Sequence, residues 1–191
     1  QNVREYYKKS VLLRNDDHFE IQFKEIFDHM AALYGLDDMQ KDQLMQWEIE
    51  GELEAGIPLV PQISLLKKYI AEGNDIVLIS DMYLPKEVIV KLLQKADPLL
   101  ATLPLYVSSE VGHQKTTRKL FLHVYSDLDY CYEKWIHIGD NRFADQVQPE
   151  MLGIQTAPIP VPEWTPYEKR LADYSSHYEF RCVAKQIQSF R

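Results

Sequence analysis

Phe23, Ile26, Phe27, Met30, Leu33 and Tyr34 recur at steps of three and four, the spacing of one apolar helical face, and Gly35 ends the run. Asp37 followed by Gln40 has the form of a capping box and predicts a second helix through Leu44, Trp47 and Leu53. Glu48, Glu50, Glu52 and Glu54 crowd its end. Alternate residues on a helix do not share a face, so these glutamates predict a solvated acidic surface rather than a metal site. No strand is expected before residue 58.

Beyond Gly56 and Pro58 the texture changes. Ile63, Leu65, Leu66, Tyr69 and Ile70 predict a helix that stops near Gly73. Short apolar runs then alternate with helical patterns. Ile76–Ile79 leads into a helix around Val88–Leu93, and Leu103–Val107 into one around Leu120–Val124. Trp135–Ile138 leads into a helix near Phe143–Met151, and Ile154–Thr156 is a short fourth run. Buried strands joined by crossover helices imply an α/β fold with a doubly wound parallel sheet. The expected organisation is a helical segment over 1–57, an α/β core over 58–157, and a Pro-rich connector with a C-terminal helix over 158–191. Pro158, Pro160, Pro162 and Pro166 stiffen that connector, and Tyr167, Leu171, Tyr174, Tyr178 and Cys182 form one helical stripe after it. The stripe is expected to dock on its own domain, or else on a protein partner or an adjoining domain.

Composition narrows the class. With 46% hydrophobic and 26% charged residues, the 191-residue chain has the balance of a folded domain with a core. A formal net charge of -8 argues against a nucleic-acid surface and against a role on a membrane surface. No apolar run approaches the roughly 20 residues that span a bilayer. Cys131 and Cys182 have no metal-like spacing, which points to a reducing compartment, and a cytoplasmic location is expected. The chain opens on Gln1 instead of Met, so a piece of a longer protein is the expectation.

Chemistry is expected at the carboxyl ends of the strands, where open α/β sheets bind ligands. Three strand ends carry suitable residues. In Ile79-Ser80-Asp81-Met82-Tyr83-Leu84-Pro85, the Ser80 hydroxyl and the following N–H groups can hydrogen-bond a phosphoryl oxygen, although such a serine is commonly only a cap. In Val107-Ser108-Ser109-Glu110-Val111-Gly112-His113-Gln114-Lys115, a lysine opens a helix, where the dipole disfavours a cation unless an anion stands before it. In His137-Ile138-Gly139-Asp140-Asn141-Arg142-Phe143-Ala144-Asp145, a strand runs into Gly-Asp with a second Asp on the next helix. Paired carboxylates of this kind suit Mg²⁺. The bland alternative makes Asp140 a helix cap and Asp145 a surface charge.

Together, in this order, the three segments resemble the second, third and fourth motifs of the haloacid-dehalogenase (HAD) superfamily. More narrowly they resemble a bacterial branch of predicted hydrolases often found alongside glycosyltransferases. The resemblance covers about residues 10–157, the helical segment before residue 58 being similar to the cap inserted between the first and second motifs. It implies a HAD-like, Rossmann-like core that is a Mg²⁺-dependent phosphatase of a small phosphorylated metabolite, a sugar phosphate being suggested by the branch. Carried over by position, Ser80 binds the transferring phosphoryl group and Lys115 stabilises its charge. Asp140 holds Mg²⁺, Asp145 supports the metal shell, and Asp81 and Tyr83 face the pocket.

The family's first motif, an Asp-x-Asp at the end of a central strand, has no match here. Asp127-Leu128-Asp129 follows a helical stretch and comes after the third motif, and no apolar strand precedes Asp16-Asp17. Adjacent strands stand about 4.8 Å apart, so omission of a central strand would leave a gap about twice that wide. Either upstream residues supply that strand or the sheet has rearranged. The chain alone is therefore expected to lack phosphatase activity. The other readings are a catalytically inactive HAD-like module that binds a phosphorylated ligand or a protein partner, and a receiver-like or nucleotide-binding domain. The last is disfavoured because no Gly-rich phosphate loop is present.

Overall fold

The computed structural model describes residues 20–128 and 134–159, together with Pro166, Lys169 and Arg170. The C-terminal stripe, the connector prolines Pro160 and Pro162, both cysteines, Asp16, Asp17 and Asp129 lie outside the described residues. No described helix is long and apolar enough to cross a membrane.

Three helices come first, and local chemistry sets their limits. Helix α1 (Phe23–Tyr34) ends at Gly35, whose φ of 67° is the left-handed conformation that a residue without Cβ adopts at little cost. Helix α2 (Asp38–Ala55) opens with the predicted capping box: Gln40 N–H donates to Asp37 at 2.8 Å and Asp37 N–H donates to Gln40 at 3.1 Å. Helix α3 (Val60–Ala71) begins with Pro61, whose missing N–H costs nothing in a first turn, and is followed by Gly73 in the left-handed region.

Ile21, Phe23, Ile26 and Phe27 close over Leu84 and Val88, with Leu44, Met45, Ile49 and Leu53 of α2 packed against them. Leu84 belongs to the loop leaving the first strand, so the helical segment sits on the carboxyl edge of that strand. Tyr83 ties the same loop to α2, its hydroxyl donating to Glu48 at 2.6 Å. Glu52 lies one turn away, 3.4 Å from that hydroxyl. Glu48 and Glu52 therefore line a joint between two parts of the fold, a correction to the expected solvated acidic surface.

The remainder is mixed α/β. Strand β1 (Leu78–Ser80) leads to helix α4 (Lys86–Ala96), and β2 (Leu105–Val107) leads to a single turn, α5 (Ser108–Val111), and then to α6 (Lys119–Leu128). Strand β3 (Ile136–Gly139) is followed by a π-helical stretch over Arg142–Val147, the short α7 (Gln148–Glu150) and β4 (Gln155–Pro158). The single α-helix expected near Phe143–Met151 thus opens as a wider π turn. Val107, Leu120, Phe121, Val124 and Ile154 are buried beneath these elements.

The described strands form two parallel pairs instead of one continuous sheet. In one, Leu78, Ile79 and Ser80 lie opposite Leu105, Tyr106 and Val107; in the other, Ile136 to Gly139 lie opposite Gln155 to Pro158. Between β1 and β3 runs a slot made of two cavities of about 410 Å³ each. Asn74, Val77 and Ile79 line one wall and Trp135, Ile136 and His137 the other, with Leu65 and Tyr69 of α3 across one face. Of the expected doubly wound sheet, the described residues show parallel α/β pairing in two separate two-stranded sheets, one on each side of this slot.

Candidate functional site

The carboxyl ends of β1 and β3 meet at one lysine. Gly112, at φ 77°, terminates α5 and turns the chain so that residues 115–117 lie against the loop after β1. The main-chain N–H of Lys115 donates to both oxygens of Asp81, at 2.9 and 3.1 Å. Its ammonium group reaches the other strand pair and lies 2.5 Å from Asp145 Oδ1. One residue therefore joins the two halves of the core, and three of the sequence-predicted positions, Asp81, Lys115 and Asp145, form a connected network.

Asp145 is 3% exposed, and both oxygens of its carboxylate are engaged. Oδ1 takes the Lys115 ammonium and lies 3.0 Å from His137 Nε2, while Oδ2 accepts the Asn141 N–H at 3.0 Å. Burial alone would raise its pKa. The hydrogen bonds from His137 and Lys115, the positive charge of Lys115 and the Asn141 N–H together outweigh burial and hold it well below the usual carboxylate range. His137 is steadied from its other side by Phe121, edge to face at 4.9 Å between centroids.

Gly139 makes this seat possible. A Cβ built there would fall on the Asp145 carboxyl carbon and oxygen, far inside any tolerable contact. The π turn contributes too, because Asn141 caps it through bonds of 3.0 Å from the Phe143 and Ala144 N–H groups and Asp145 is the fourth residue of the wider turn.

Asp81 has the opposite bias. Burial raises its pKa, the Lys115 N–H and charge partly offset this, and the negative charges of Glu20 and Asp145 add to the rise. Behind the site, the loop after β1 is pinned to the loop after β2. Met82 N–H donates to Ser108 Oγ at 2.9 Å and Ser109 Oγ donates to the Leu84 carbonyl at 3.0 Å. Both serines are buried. Ser80 ends β1 and lines the slot, and Asp140 follows β3 directly and is exposed.

Among the described residues no group of three or more His, Cys, Asp and Glu side chains is close enough to hold a metal ion. Mg²⁺ needs only one or two protein carboxylates when water and phosphate oxygens complete its shell. Asp140 fits that role as a single ligand. Asp145 does not fit it as a direct ligand, because it is buried and its charge is already paired with the Lys115 ammonium.

The sequence reading gave His137, Ser108 and Ser109 no role of their own, and gave Gly139 only a sharp turn of the backbone. His137 was detectable in principle as a polar residue inside an apolar strand, two positions before Gly139. Compared with known proteins, the chain matches no family model, and no curated protein matches it significantly.

Proposed function

We propose that this chain carries part of the phosphate-binding site of a HAD-like phosphohydrolase acting on a small phosphorylated metabolite, a sugar phosphate being the first class to test. The observation that carries the reading is Lys115, anchored to Asp81 by its main chain and to the buried Asp145 by its side chain at the carboxyl ends of parallel strands. An ammonium group has three donors. One is held by Asp145, leaving two for the oxygens of a phosphate. Ser80 contributes a hydroxyl at the end of β1, and Asp140 would hold Mg²⁺, which supplies further positive charge toward the phosphoryl oxygens when bound.

In this reading Asp145 and His137 are positioning residues that hold the lysine in place before the ligand arrives, so little reorganisation accompanies binding. The attacking carboxylate and its acid/base partner are assigned to a strand outside the described residues, ending between β1 and β3. A second reading, a phosphate-binding module without turnover, is favoured by one observation: among the described residues no Asp-x-Asp ends a strand.

Hydrolysis of an aryl phosphate and of a sugar-phosphate panel, with and without Mg²⁺, separates the two. Residues 1–191 are expected to bind inorganic phosphate in calorimetry, to lose that binding in Lys115→Ala, and to show no turnover. A chain extended upstream through a strand ending in Asp-x-Asp is expected to hydrolyse the substrates. Failure of the extended chain across the panel would leave the binding module. Turnover by residues 1–191 that disappears in Asp140→Ala would show that the nucleophile has been misplaced.

A further inference from the structure

The two faces of the β3–β4 pair differ in what covers them. Side chains alternate across a strand, so the register puts Ile136, Ile138, Gln155 and Ala157 on one face and His137, Gly139 and Thr156 on the other. The His137 face is packed. His137 meets Phe121 of α6 edge to face and lies 3.0 Å from Asp145, and the Thr156 hydroxyl donates to Glu150 of α7 at 2.6 Å. On the other face Ile136 is 62% exposed and Ile138 36%. Ile159, whose N–H donates to the Gly139 carbonyl, extends this apolar face by one more step of the same alternation.

Parallel strands are ordinarily covered on both faces. A strand filling the slot beside β3 would lie in the plane of the sheet, so it would leave the side chains of Ile136 and Ile138 bare. This face needs a layer of its own. The position of the chain at Ile159 says which segment can supply it. Ile159 is held to Gly139, so the chain leaves the described core at the carboxyl end of β3, on the edge of the uncovered face. Residues 160–166 then connect it to the stripe of Tyr167, Leu171, Tyr174, Tyr178 and Cys182, which has no other role in the fold. At about 3.1 Å per residue for an extended Pro-rich segment, that connector reaches up to about 20 Å, more than the roughly 13 Å length of a four-residue strand. Pro166, Lys169 and Arg170 are helical and exposed. Successive helix residues turn by about 100°, so these three share one side, and Leu171, Tyr174 and Tyr178 fall together on a different one.

We propose that the uncovered face of β3 and β4 is the docking surface for this chain's own C-terminal segment, a helix over about residues 166–182 laying its Tyr/Leu stripe on Ile136, Ile138, Ala157 and Ile159. A short tether holds such a segment at an effective concentration on the order of millimolar, which favours it over a separate partner for the same face. Leu65 of α3, 42% exposed, lies on the same side of the slot as Ile138 and Ile159 and gives the helix an apolar flank. The docking involves no phosphate and stands or falls separately from the phosphohydrolase reading.

The test is photo-cross-linking in the full 191-residue chain, with p-benzoylphenylalanine in place of Tyr174 on the stripe or of Lys169 on the exposed side. Irradiation of the Tyr174 form is expected to join residue 174, within one chain, to peptides containing Ile136 to Ile138 or Ala157 to Ile159. The Lys169 form is expected to give none of these products. Ile138→Asp is expected to cut the yield about tenfold, because docking would then bury an unpaired carboxylate. Leu171→Asp, which leaves every residue of the sheet unaltered, is expected to cut it equally, so that a loss confined to Ile138→Asp would be damage to the strand and would count against the docking. Products between two chains, products on α1, α2 or the β1 wall of the slot, or no product at all would overturn the proposal.

Discussion

Replacing Asp145 with Asn tests the network in the most direct way. The side chain keeps its size and can still accept from Asn141 N–H, but the charge opposite Lys115 disappears. Lys115 and Asp145 are both largely buried, with side-chain exposures of 12% and 4%. Removing one partner of such a pair leaves a desolvated charge and typically costs about 3–5 kcal/mol. With a urea m-value of about 2 kcal/mol/M, the unfolding midpoint of Asp145→Asn is expected to fall by about 2 M. Glu72→Gln is the control, because its pair with Lys68 is solvent-exposed on both sides and salt bridges of that kind contribute little. The carboxyl of Asp145 is depressed in the folded state, so its contribution is complete above the unfolded carboxylate value of about 3.9 and is lost as pH falls through the lower folded value. The stability gap between wild type and Asp145→Asn is therefore expected to be constant from pH 8 to 5 and to narrow in stronger acid. A midpoint change no larger than that of Glu72→Gln, or a gap that does not depend on pH below 4, would show that the pair is solvent-screened and that Lys115 is not held as described.

Three further substitutions probe the supports of the site. Gly139→Ala is expected to lower stability by about 1–3 kcal/mol, seen as a reduced Tm, because a Cβ there overlaps the Asp145 carboxylate and one of them must move. Tyr83→Phe removes the donor to Glu48 and is expected to cost about 1 kcal/mol in chemical denaturation, with a smaller effect in a Glu48→Gln background where an acceptor remains but the charge is gone. Asp81→Asn is expected to be nearly neutral at pH 7, since it relieves a carboxylate whose pKa burial raises and keeps an acceptor, whereas Asp81→Ala leaves the Lys115 N–H unpaired and costs about 1–3 kcal/mol by the same assay.

Local signals carried much of the fold. Gly35, the Asp37–Gln40 box and the breaks at Gly56 and Gly73 mark real helix limits because each depends on a few adjacent residues. Apolar runs at 76–79, 103–107, 135–138 and 154–156 fall on or beside the four described strands for the same reason. Long-range geometry was less visible. Ser80, Asp81, Lys115, Asp140 and Asp145 could be named from strand ends, but nothing in their spacing shows that Asp145 turns inward to Lys115 while Asp140 stays exposed. That difference follows from the π turn and from the missing Cβ at Gly139. Glu48 and Glu52 were misread because the partner that matters, Tyr83, lies 35 positions away from Glu48. The division into two strand pairs is likewise a property of the assembled sheet, invisible in any one run.

Among the described residues, Lys115 joins the halves of the core at their carboxyl end. Its main chain is fixed to Asp81 and its ammonium to Asp145, and the neighbouring Arg118 reaches Gln148 on the same edge. At the opposite end, around Asn74 and Lys134, a cavity separates the halves. Such an arrangement has the geometry of a hinge with its pin at the carboxyl edge. A rotation of a few degrees about Lys115 displaces the amino ends most and the phosphate-facing residues least. A separation of the amino ends would thus leave the contacts of Lys115 with Asp81 and Asp145 nearly in place.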